Sequence, residues 1–135
     1  MTEHDIVKEW LEIAHNDYTS AKFLFDNMHP KPLEIICYHC QQSAEKSLKA
    51  YLCANGKKIA KTHETGVLCN QCLEINDEFS QFSRVCEELV IYATETRYPI
   101  RIETDELTAE RLLQQVLEIY VFVAELVDVT DKEKT

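Results

Sequence analysis

The stretch Ile35–Leu52, IICYHCQQSAEKSLKAYL, constrains the fold more than any other. It contains no Gly or Pro and is bounded by Pro32 before it and Asn55-Gly56 after it. Those are the boundary signals of one long helix. At about 100° per residue, Ile36, Cys40, Ala44, Ser47, Leu48 and Tyr51 share one broad side. His39, Gln42, Lys46 and Lys49 fall on a narrower stripe. The broad side reads as a packing face of mixed small and large residues. The stripe reads either as a solvated face or as one wall of a groove that holds a ligand or a partner chain.

The rest of the chain supplies elements for that helix to pack against. Ile6–Met28 reads as an amphipathic helix, with Ile6, Trp10, Ala14, Ala21, Leu24 and Met28 on one stripe. Asp17 interrupts this stripe. A carboxylate there needs a partner, because burying it alone would cost several kcal/mol. The candidate partners are Lys46, His39 and Arg97. His29-Pro-Lys-Pro suits a tight connection, so the first two helices are expected to form an antiparallel hairpin. Thr62 is the expected N-cap of a shorter helix ending near Ile75, with His63 and Glu64 in its first turn. Phe79–Thr96 reads as one helix, since Phe79, Phe82, Cys86, Leu89 and Ala93 recur at helical spacing and Pro99 disfavours helix just before it. Thr104-Asp-Glu is the expected cap and acidic start of the last helix. The apolar face of that helix comprises Ala109, Leu112, Leu113, Val116, Tyr120, Ala124 and Val127, and residues 128–135 are expected to fray. Few glycines and prolines and short connections leave an all-α, up-and-down bundle of four to five helices, with residues 1–135 as a single domain.

Charge limits the partners. The formal net charge is −10, which disfavours non-specific binding to nucleic acid or to an anionic membrane. The charge is uneven, however. From Lys46 to Lys61 the chain has five lysines and no acid. Lys57, Lys58 and Lys61 either solvate a loop or hold a phosphate locally, together with Thr62, His63 and the N–H groups of the helix that follows. The N-terminus carries no secretory signal, and the strongly apolar run Ile119–Ala124 is too short to span a bilayer. These features lead to the expectation of a cytoplasmic protein.

The six cysteines include Cys37-x-x-Cys40 and Cys69-x-x-Cys72, a spacing that zinc sites share. Neither pair is flanked by the Gly or Pro that would wrap backbone around a metal, and Cys37, Cys40 and Cys72 fall on packing faces. They read as buried thiols, with no metal. The chain also lacks a Gly-rich phosphate loop, a nucleophile elbow and a His-Glu-x-x-His motif, so no residue is assigned as catalytic.

Several of these segments together resemble the HEPN domain (higher eukaryotes and prokaryotes nucleotide-binding). They are Trp10…Ala14-x-x-Asp17…Ala21, the run Tyr38-His-Cys-Gln-Gln-Ser-Ala-Glu-Lys-Ser-Leu-Lys-Ala-Tyr-Leu52, Thr62-His63, and Arg97-Tyr98-Pro99. The resemblance implies an all-α bundle, often a homodimer. It also implies a frequent partner, a minimal nucleotidyltransferase in prokaryotic two-component modules, some of them toxin–antitoxin systems. Related domains bind nucleotides or cleave RNA. The ribonuclease branch uses an Arg followed four to six residues later by a His. Here every His (4, 15, 29, 39, 63) precedes every Arg (84, 97, 101, 111), so the resemblance is to the non-nuclease branch. The expected ligand-facing set is His39, Gln42, Lys46, Lys49, Lys61, His63 and Arg97, with Asp17 orienting Arg97 or Lys46. The ligand would be a nucleotide of the ATP or GTP class, with or without magnesium. The alternatives are a purely structural homodimeric subunit of a nucleotidyltransferase complex, or an RNA-cleaving toxin with a non-standard site at His39 or His63.

Overall fold

Four helices pack around the one formed by the central stretch. The computed structural model describes residues 1–93 and 103–134. Helix α1 spans Glu3–Asn27, α2 Leu33–Ala54, α3 Thr65–Ile75, α4 Ser83–Leu89 and α5 Glu106–Lys134, with 3-10 turns at Asp77–Phe82 and Val90–Tyr92. The described residues contain no strand. α2 touches α1, α3, α4 and α5, which makes it the axis of the bundle.

Local chemistry explains each boundary. Thr2 and Asp5 form a reciprocal capping box that opens α1: the Asp5 N–H donates to Thr2 Oγ1 at 3.1 Å, and the Thr2 N–H donates to Asp5 Oδ2 at 3.0 Å. α2 ends in a Schellman motif. Gly56 takes a φ of +67°, the left-handed region that favours glycine. The Lys57 and Gly56 N–H groups then cap the carbonyls of Leu52 and Cys53, each at 3.0 Å. α5 is capped by Asp105, whose Oδ1 accepts the Thr108 N–H at 2.7 Å.

α1 and α2 form the expected hairpin. Small residues occupy the seam: Ala14 and Ala21 of α1 and Cys40, Ser43, Ala44 and Ser47 of α2 are all fully buried. The Ser43 hydroxyl donates to the Ala14 carbonyl at 2.8 Å, which pins the register. Toward α3 and α5 the core becomes aromatic. The Phe79 ring lies 4.6 Å from Tyr51 and 5.2 Å from Phe122, centroid to centroid, with Phe82 beside them. Thr65 ties α3 to α4 by donating to the Cys86 carbonyl at 2.6 Å. All six thiols are free. Five are buried, and Cys53 is partly exposed. Burial pushes the Cys37 thiol up to about 11 and raises those of Cys40 and Cys72 as well. No group of three or more metal-ligating side chains occurs among the described residues.

Four boundaries depart from expectation. Phe79–Thr96 is not one helix. The Asn76 side chain accepts the Glu78 N–H at 2.9 Å and starts a 3-10 turn, α4 follows at Ser83, and Tyr92 closes a second 3-10 turn. A spacing of three suits a 3-10 helix as well as an α-helix, so apolar periodicity does not separate them. Thr62 does not cap α3: its Oγ1 accepts the Glu64 N–H in a tight turn, and the helix starts at Thr65. Thr104 does not cap α5. Its hydroxyl instead accepts the Tyr92 O–H at 3.3 Å. α5 continues to Lys134, past the point at which fraying was expected.

Candidate functional site

The helical stripe of α2 is not the solvated ridge its polarity suggests. Lys49 points inward with a side chain only 8% exposed, because α1 covers that side. Its Nζ lies 5.6 Å from the Trp10 ring centroid, a cation–π distance. Beside the stripe, next to Lys46 in sequence and one turn before Lys49, is Glu45, fully buried at 0% exposure.

Glu45 accepts four hydrogen bonds. Lys46 and Lys49 donate from Nζ to Oε2 at 2.7 and 3.0 Å. His63 Nδ1 and Gln41 Nε2 donate to Oε1 at 3.0 and 3.2 Å. That number matches the lone-pair sites of a carboxylate, so this buried charge has no unmet acceptor. The two glutamines close the cluster. Gln41 Nε2 also donates to the His63 carbonyl at 2.8 Å, Gln42 Nε2 donates to Gln41 Oε1 at 2.6 Å, and Lys46 donates to Gln42 Oε1 at 3.1 Å. Desolvation alone would raise the Glu45 pKa. The hydrogen bonds from Lys46 and Lys49 outweigh it and bring the carboxyl down to about 2.

The helical repeat accounts for the clustering. Gln41, Glu45 and Lys49 are spaced four apart and so stack on one face. The loop after α2 then returns His63 to that face. The Glu64 turn at Thr62 aims the His63 carbonyl at Gln41 and the ring at Glu45. A second carboxylate–imidazole pair lies on the α1 side, where His39 Nδ1 is 3.0 Å from Asp17 Oδ1. Of the two candidate partners for Asp17 among the described residues, Lys46 and His39, it is His39 that pairs with it.

The cluster therefore unites Lys46, Lys49, Gln42 and His63, and pairs His39 with Asp17. Lys61 lies two residues before His63 and is exposed, as are Lys57 and Lys58. Arg97, and with it the possible Asp17–Arg97 pair, lies outside the described residues. Sequence reasoning missed Gln41 and Glu45 as members of the site. The available signal was an acid at the start of an otherwise all-lysine segment, four residues from Lys49 and adjacent to Lys46.

The cluster can receive an anion. It sums one carboxylate against two ammoniums, so an excess positive charge remains. Lys46 is 17% exposed and uses two of its three ammonium hydrogens internally. His63 is 70% exposed, with Nδ1 committed to Glu45 and Nε2 left for an outside partner.

Comparison with known proteins adds the family. The HEPN domain profile matches residues 7–126, nearly the whole chain. The chain belongs to the HEPN domain family. No curated protein matches it. Among solved structures, this HEPN domain is similar to ST0689, an archaeal HEPN homologue, with a TM-score of 0.70 and 21% identity over 90% of this chain and 97% of that one. At that identity the likeness concerns the fold: an all-α HEPN bundle. No helix among the described residues is long and apolar enough to cross a membrane.

Proposed function

We propose that this HEPN domain binds the phosphates of a nucleotide and works alongside a minimal nucleotidyltransferase as partner. The observation that carries the reading is the buried Glu45, which holds Lys46 and His63 at the surface in a locally cationic patch on a chain of net charge −10. Lys46 and His63 would contact phosphate directly, with Lys57, Lys58 and Lys61 adding long-range attraction. Lys49 would act from below, keeping Glu45 in place. Homodimerisation and a toxin–antitoxin-like role belong to the same reading and rest on family membership.

The test is thermal melting with ATP, GTP and their diphosphates, with and without magnesium. A nucleotide at about 100 times its Kd stabilises the folded state by roughly 2.7 kcal/mol, a rise of a few degrees for a domain of this size. The expected result is a saturable rise that disappears in Lys46→Ala and His63→Ala. No rise at millimolar nucleotide defeats the nucleotide site and favours a structural subunit, recognised by tight co-purification with the nucleotidyltransferase.

A second reading draws on the two carboxylate–imidazole pairs, Asp17–His39 and Glu45–His63. Such pairs suit general acid–base cleavage of RNA. Purified protein that leaves single-stranded and structured RNA intact removes this reading.

A further inference from the structure

The outward face of α5 has no role in the cationic cluster, yet it is built as a docking surface. Two shallow concavities lie along it. One, of about 720 Å³, is bounded by Tyr18, Lys22 and Phe25 of α1. The other, of about 370 Å³, is bounded by Gln81 and Phe82 of the 3-10 turn. Gln114 and Glu118 of α5 line both, so the two form one continuous strip. At 1.5 Å per residue, the strip from Leu107 to Glu125 runs about 27 Å.

Its chemistry is mixed in the first concavity and mainly apolar in the second, with acidic edges. Leu107 and Val121 are 77% and 41% exposed, and Phe82, Leu117 and Phe122 also line the second concavity. Glu110, Glu118 and Glu125 stand beside them, all exposed. The two cations at the strip are already engaged. Lys22 pairs with Asp26 at 2.9 Å, and Arg111 makes a two-pronged contact with Glu88, at 2.9 Å from Nη1 and 2.5 Å from Nη2. The carboxylates of the strip therefore remain as net negative charge along an apolar seam. Leu107, Gln114 and Val121 recur every seven residues, as do Glu118 and Glu125, which is the repeat a second helix follows.

We infer that this face of α5 docks a basic amphipathic helix of a protein partner, roughly 18 residues long, with its apolar stripe on Leu107, Val121 and Phe122 and its lysines or arginines on Glu118 and Glu125. The same face of a second copy does not fit, because it would bring carboxylates against carboxylates. The inference is independent of the nucleotide site, since it uses none of the same residues.

The probe is a fluorescein-labelled 18-residue peptide of lysine and leucine, with leucines at three- and four-residue spacing. It is compared with a scrambled peptide of the same composition and with a glutamate–leucine peptide of the same pattern. The amphipathic basic peptide should bind the intact chain at least about tenfold tighter than either control. The double variant Glu118→Lys/Glu125→Lys should lose at least about tenfold in affinity and lose most of the salt dependence. Glu9→Lys/Glu12→Lys on the outer face of α1 changes net charge equally and should shift affinity by less than about twofold. Val121→Ser tests the apolar contact without altering charge and should weaken binding severalfold. Equal loss in both double variants would mean generic charge attraction and overturns the inference, as does equal binding of the scrambled peptide. Sedimentation showing a dimer that Val121→Ser dissociates would assign the face to a second copy and overturns it too.

Discussion

Glu45 sits in the interior as a charge, and its neighbours decide whether that is tolerable. Removing a partner from a buried, hydrogen-bonded ion pair typically costs about 3–5 kcal/mol, because the remaining charge is left uncompensated. Glu45→Gln keeps the shape and loses the charge, which strands Lys46 and Lys49. It should cost roughly 3 kcal/mol of stability at neutral pH, measured by urea unfolding. The sign of the pH dependence follows from the depressed pKa. A carboxyl at about 2 in the fold, against 4.5 when unconstrained, contributes stability that is fully present above pH 4.5 and is lost as pH falls toward 2. The gap between wild type and Glu45→Gln should therefore shrink across that window and stay constant above it. A gap that is flat down to pH 2 would mean that Glu45 is not held as an ion.

At the scale of elements, the sequence announced helices more reliably than their ends. Asn55-Gly56 foretold the stop of α2 because one Gly in a left-handed turn supplies the whole capping geometry. The start of α5 was displaced by one residue. Thr104 and Asp105 are both good caps by type, and only the fold shows that Tyr92 occupies the Thr104 hydroxyl. This separates two variants. Asp105→Ala should speed amide exchange of Thr108 and fray the first turn of α5, whereas Thr104→Ala should leave that amide protected and loosen Tyr92 instead. Helical periodicity assigned most of the inward face of α5 but named Tyr120 and Ala124, both only partly buried, and passed over Ile119 and Val123, which are fully buried. A stripe drawn on a straight wheel does not know that three neighbours close over α5 from different directions.

The architecture was legible in the sequence because scarce turn residues and long periodic runs leave few folds open. The site was legible only by halves. A wheel shows which residues share a side but not what covers that side. The wheel leaves Lys49 on a stripe that is either solvated or a groove wall and assigns Gln41 and Glu45 to neither face; the fold lays α1 and Trp10 over Lys49 and returns His63 from the loop to Gln41 and Glu45. The buried thiols were readable, since Cys37, Cys40 and Cys72 fell on apolar faces. They make the molecule its own strain gauge. Under native conditions a maleimide should modify Cys53 alone. Labelling of Cys37 and Cys40 on α2, of Cys69 and Cys72 on α3, or of Cys86 on α4 each requires a local opening. The order in which those five sites become reactive, followed by mass spectrometry, should rank how readily each helix leaves the bundle. Cys37 and Cys40 should come last, because the buried face of α2 cannot be exposed until its neighbours have moved.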